Sequence, residues 1–63
     1  MKVKDIIKLI ENDGWELKRI RASHGEYKHK KKKGLVTIPG HLNEEMAIGR
    51  VKSIFKGAGL NNE

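Results

Sequence analysis

The sequence predicts an α+β fold of order helix, strand, strand, strand, helix: a three-stranded antiparallel meander with both helices on one face. Three observations lead there. A segment near each end repeats apolar residues at helical spacing. The residues between them alternate apolar and polar in short runs, as half-buried strands do. The breaks between those runs are short and turn-forming, which suits antiparallel neighbours.

Residues 3 to about 12 read as the first helix. Val3, Ile6, Ile7 and Ile10 fall at i, i+3, i+4 and i+7 with Leu9 flanking them, so one face is apolar. Asp5 stands in the first turn, where the helix dipole favours an acid. Asn12-Asp13-Gly14 is the stop, with Gly14 free to take a left-handed C-cap conformation.

Residues 15 to about 21 form the first strand, Trp15 and Leu17 alternating with Glu16 and Lys18. Ile20 breaks that phase, which points to a bulge or bend. Ala22-Ser23 is the turn. The second strand runs from 26 to about 30, with Tyr27 and His29 on one face and Glu26, Lys28 and Lys30 on the other. Lys31-Lys32-Lys33-Gly34 turns the chain into the third strand, Leu35-Val36-Thr37-Ile38, and Pro39 ends it for want of an amide donor. The core face is then Trp15 or Leu17, Tyr27, and either Val36 and Ile38 or Leu35.

Residues 40–43 are loop. The second helix begins between Asn43 and Ile48 and carries Ile48, Val51, Ile54, Phe55 and Ala58 along one face. Gly57 and Gly59 mark its end, Leu60 folds back over the last turn, and Asn61-Asn62-Glu63 form a fraying polar tail.

Sixty-three residues make one domain, residues 1–63, with a marginal core, because a chain this short buries only ~60% of its unfolded surface. The absence of cysteine excludes disulfide staples and thiolate zinc sites and suits a reducing cytosol. No segment approaches the ~20 apolar residues that span a bilayer, and the N-terminal segment lacks a signal-peptide core. The expected location is the cytoplasm.

The formal net charge of +6 is unevenly placed. Between residues 18 and 33 stand Lys18, Arg19, Arg21, Lys28, Lys30, Lys31, Lys32 and Lys33, opposed by Glu26 alone. All the excess charge lies in that band. So local a field is the footprint of a nucleic-acid binder. The alternatives are a solvated lysine-rich hairpin and, more weakly, an anionic lipid surface, since neither helix concentrates a basic face.

Within the band, Arg21-Ala22-Ser23-His24-Gly25-Glu26-Tyr27-Lys28-His29 gathers an imidazole, a hydroxyl and several cations. Gly14-Trp15 precedes it. Gly34, Val36-Thr37-Ile38-Pro39, His41, Ser53-Ile54 and Ala58-Gly59-Leu60 follow. In order and spacing this set resembles the HicA toxins, the small endoribonuclease partners of HicA–HicB toxin–antitoxin pairs, over nearly the whole chain. The resemblance implies a double-stranded-RNA-binding-domain-like αβββα fold and ribosome-independent cleavage of messenger RNA. It also implies that His24 is the catalyst, with a cognate HicB-like antitoxin covering the site. The chain departs from the family at Ala22, where glycine usually precedes Ser-His. A turn needing positive φ there would strain Ala22, unless Gly25 supplies the flexible point.

RNA carries its own nucleophile, the 2′-hydroxyl beside each phosphodiester. Cleavage without metal then needs a base, a proton source for the leaving 5′-oxygen and a cation for the charge building on phosphorus. His24 suits the role of general base, with that of acid also open. The expected products are a 2′,3′-cyclic phosphate and a 5′-hydroxyl. Arg21 or Lys28 would stabilise the phosphorane, and His29 or His41 would supply a second imidazole, although His29 shares the core face with Tyr27. Ser23 either meets a phosphate oxygen or holds the turn through its backbone.

Lys30, Lys31, Lys32 and Lys33 lie along a hairpin tip and contact phosphates without reading sequence. Trp15, Tyr27 and Phe55 fall where a small domain needs core mass, so they are read as core rather than as stacking platforms. Histidines at 24, 29 and 41 do not make a convincing zinc set, and no cofactor is expected. The competing readings are a non-catalytic RNA-binding module of the same fold and an interaction domain that docks on an acidic protein.

Overall fold

The computed structural model describes residues 1–60. Its elements are α1 (Val3–Asn12), β1 (Trp15–Arg21), β2 (His24–His29), β3 (Leu35–Ile38) and α2 (Ile48–Gly57). The strands form one antiparallel sheet in the order β1-β2-β3. This is the αβββα arrangement expected of a double-stranded-RNA-binding-like domain. The C-terminal tail, residues 61–63, lies outside the described residues. No helix among the described residues is long and apolar enough to cross a membrane.

Trp15, Tyr27, Val36 and Ile38 project from one sheet face against Val3, Ile6 and Ile10 of α1 and Val51 and Ile54 of α2. Of the alternatives for the core face, Trp15 is taken and Leu17 is left 47% exposed, while Val36 and Ile38 are taken and Leu35 is left 52% exposed. The apolar stripe of α2 is narrower than its sequence suggests. Ile48, in the first turn, is exposed, and Met46 of the preceding loop enters the core instead.

The register slips between Leu17 and Arg19, a bulge slightly earlier than the phase break at Ile20. It has a simple effect. The extra residue turns Ile20 back to the helix side, in step with Trp15 and Leu17, and sends Arg19 and Arg21 to the open face. The second strand starts at His24 and ends at His29, not at 26 and 30, because Arg21 and His24 already pair across the sheet. Apolar alternation cannot mark that start, since His24 is polar and Gly25 has no side chain.

The connection from β3 to α2 has a structural task as well. The Val3 amide donates to the Glu44 carbonyl and the Lys4 amide to the Leu42 carbonyl, both at 2.9 Å. Two of the N–H groups that α1 leaves unsatisfied are met in this way. The loop is itself closed by the His41 amide, which donates to Glu44 Oε1 at 2.8 Å.

A polar junction ties both helices to one end of the sheet. The Trp15 indole N–H donates to the Ala58 carbonyl at 3.2 Å, and the Lys32 ammonium donates to that same oxygen at 3.0 Å. Lys32 also meets the Asp13 carboxylate at 2.5 Å. His29 Nδ1 accepts from the amides of Lys31 and Lys32 at 3.0 and 3.2 Å, so its proton sits on Nε2, which donates to the Asp13 carbonyl at 2.7 Å. The His29 ring stands edge-on to Trp15, with centroids 5.2 Å apart. Gly14 is required beside it. Its φ is +107°, and a Cβ there would come within 2.7 Å of His29 Nε2.

The hydrogen bond from Lys32 holds the Asp13 carboxyl below its ordinary value of 3.8, aided by the Lys32 charge and opposed by partial burial. A depressed carboxyl binds protons more weakly folded than unfolded. Its contribution to stability is therefore complete above about pH 4 and lost as pH falls through the folded-state value. Lys32→Met, which keeps the aliphatic stem, is expected to lower stability at pH 7 and flatten its decline below pH 4. Urea midpoints measured across that range test this, and an unchanged acid slope in the variant would detach Asp13 from Lys32.

Candidate functional site

The opposite end of the β1–β2 hairpin is free of such ties. Arg21 and His24 form its last cross-strand pair, and Ala22 and Ser23 make the two-residue loop between them. Alternation along β2 sends Gly25, Tyr27 and His29 toward the helices. His24, Glu26 and Lys28 go to the open face. Directly paired residues share a face with Cα atoms ~4.5–5.5 Å apart, so Arg21 stands beside His24 and Arg19 beside Glu26.

The charges of that face are partly cancelled. Arg19 Nε donates to Glu26 Oε1 at 2.6 Å, and this bond holds the Glu26 carboxyl below its usual range. Glu26 is therefore ionised and a poor proton donor at neutral pH, and Arg19 offsets its charge. Arg21 has no carboxylate partner among the described residues. Its guanidinium is available beside an exposed imidazole.

Sequence spacing made Arg21 and Lys28 equivalent neighbours of His24, but the sheet does not. Lys28 lies four strand residues away, ~13 Å at the usual rise, with Glu26 between. Lys30, Lys31 and Lys33 are exposed in the β2–β3 connection. Lys32 departs from the expectation for its run. Its ammonium donates to Asp13 and Ala58, so it ties the fold together. Ser23 is exposed in the turn.

The three histidines part company. His29 sits at the far end of β2 with both ring nitrogens engaged. His41 lies past the end of β3, where the Gly25–Ile38 pairing brings Pro39 level with His24. It lines a groove of about 410 Å³ on the helix side of the sheet, together with Ala22, Ser23 and Gly25. Ile20 and Leu42, 68% and 59% exposed, form its apolar rim. Apolar alternation does not reveal this groove, because Ile20 joins its lining through the register shift between Leu17 and Arg19.

From residue 3 to residue 60, every element described above falls within a match to the family described as HicA toxin of bacterial toxin-antitoxin. The chain belongs to the HicA toxin family. It is therefore a toxin of the toxin–antitoxin kind, and the hairpin with His24 is part of the matched region. No curated protein matches it.

This HicA chain has alanine at the first position of the hairpin loop, and Ala22 takes φ 55°. Gly25 lies in β2 without a positive φ, so it does not relieve the turn. Left-handed backbone costs an L-residue about 1 kcal/mol or more, which Gly avoids. Ala22→Gly is expected to stabilise the domain by about 1 kcal/mol, a rise of ~4–8 °C in Tm for a chain this size. Calorimetry on the two proteins checks it, and a fall in Tm would show that Ala22 bears no strain.

Proposed function

We propose that this HicA toxin is an endoribonuclease that cleaves single-stranded messenger RNA without metal, with His24 as general base and Arg21 as the phosphate clamp. The observation that supports the reading is the Arg21–His24 pair on an open sheet face: an exposed imidazole beside a guanidinium with no carboxylate at ion-pair distance among the described residues. Neutral imidazole takes the proton of the ribose 2′-hydroxyl. The guanidinium fork then meets the negative charge that builds on the phosphate oxygens. The leaving 5′-oxygen takes a proton from solvent water as its bond to phosphorus breaks, giving a 2′,3′-cyclic phosphate and a 5′-hydroxyl. The imidazolium returns its proton to solvent.

Lys28, Lys30, Lys31 and Lys33 hold the strand through its phosphates, which favours affinity over sequence readout. Trp15 and Tyr27 are buried in the core, so base stacking on them plays no part. A HicB-like antitoxin silences the toxin by covering the cationic hairpin with acidic groups. The exposed Ile20 and Leu42 beside that hairpin give such a partner apolar surface to bury.

Purified wild-type protein and His24→Ala, incubated with the same single-stranded transcript, test the proposal. The variant is expected to lose cleavage by ~10²–10⁴-fold, the usual share of a general base, while binding changes by less than about twofold. Undiminished cleavage by a folded His24→Ala protein would overturn it. A wild type that binds RNA but leaves it intact would indicate a non-catalytic RNA-binding module.

A further inference from the structure

The cations of the open face do not form one continuous band. Arg19 is neutralised by Glu26 and Lys32 by Asp13. Apart from Lys31 and Lys33 in the β2–β3 connection, two separate groups remain. One is Arg21 at His24. The other is Lys18, Lys28 and Lys30, which line a groove of about 390 Å³ at the opposite end of the β1–β2 pair. None of these three lysines has a carboxylate within ion-pair distance among the described residues. Glu16, which pairs with Lys28 across the strands, is the one acidic residue lining the groove among the described residues, against three lysines.

The groove is built on fixed parts. Its lining includes His29, a residue whose ring is held at both nitrogens and set against Trp15 on the helix side of the sheet. Lys18 stands at the bulge, which re-aims side chains out of ordinary alternation. Between this groove and His24 lies the Arg19–Glu26 pair, which contributes little net charge. Four strand residues separate Lys28 from His24, ~13 Å, and a stacked strand advances ~3.4 Å per nucleotide. The span equals about four stacked nucleotides, and fewer where the strand is extended.

We propose that Lys18, Lys28 and Lys30 form a second phosphate subsite, which holds the backbone of the same RNA strand several nucleotides from the bond cut at His24. The occupant is a single strand long enough to reach both ends of the hairpin. This rests on the nuclease reading and adds a length requirement to it. Because the subsite touches only distant phosphates, it strengthens ground state and transition state alike. It therefore lowers KM and leaves kcat unchanged.

The test is a triple variant, Lys18→Gln with Lys28→Gln and Lys30→Gln, assayed on a long single strand and on a dinucleotide. A control variant, Lys4→Gln with Lys8→Gln and Lys52→Gln, carries the same net charge with the subsite intact. For the subsite variant, kcat/KM on the long strand is expected to fall about tenfold or more, through KM alone. The dinucleotide should be cleaved at the wild-type rate. The slope of log affinity against log salt for the long strand should flatten by about two units.

Equal losses on both substrates, an unchanged KM on the long strand, or the same loss in the control would each overturn the subsite. If the wild type cleaves neither substrate, the nuclease reading falls by itself. Affinity and salt slope for the long strand then decide the subsite: a loss confined to the subsite variant sustains it, and no loss overturns it.

Discussion

The carbonyl of Ala58 accepts hydrogen bonds from the Trp15 indole and the Lys32 ammonium, and the closure of both helices onto one end of the sheet depends on that shared acceptor. It closes the C-terminus of α2 onto the first residue of β1 and onto the β2–β3 connection. Asp13 and His29 extend the junction to the end of α1. A domain of 63 residues without cysteine has few ways to fix its elements beyond a small core. Here a buried tryptophan, a histidine in one tautomer and a lysine drawn from a basic run supply the tie. Each satisfies a carbonyl or carboxylate at an element end that would otherwise depend on water.

Fixing one end of the hairpin leaves the other open to solvent. At the fixed end His29 has no ring nitrogen to spare. At the free end His24 is exposed beside an arginine that makes no ion pair among the described residues. The same division holds among the cations. Arg19 and Lys32 are bound to carboxylates, while Arg21, Lys18, Lys28 and Lys30 are not, among the described residues. A basic run in a sequence is thus a poor guide to the charge a ligand meets. The distribution of Asp13 and Glu26 decides which members remain available.

Much of the fold was legible because its signals are local. The i, i+3, i+4, i+7 stripes gave α1 its observed bounds, and the turns at Asn12-Asp13-Gly14 and Ala22-Ser23 fall where their residue types put them. The start of β2 was not legible, since a glycine and a polar residue carry no alternation. The core role of Met46 was hidden for a related reason: it lies outside any periodic run. Family likeness singled out His24 and foresaw the strained Ala22, whose φ is positive as a glycine-type turn requires. What sequence spacing could not resolve was which cation stands beside His24, or that Lys32 is spent on the fold. Both depend on cross-strand register and on contacts 19 and 26 residues apart in the chain.

The most direct measurement uses a single-stranded RNA with one 2′-deoxyribose at a mapped cleavage position, incubated with the toxin in excess chelator. Expected is loss of cleavage at that position alone, with neighbouring sites still cut to 2′,3′-cyclic phosphate and 5′-hydroxyl ends. Cleavage persisting at the deoxyribose, with 5′-phosphate ends, would contradict a mechanism in which His24 activates the substrate's own hydroxyl.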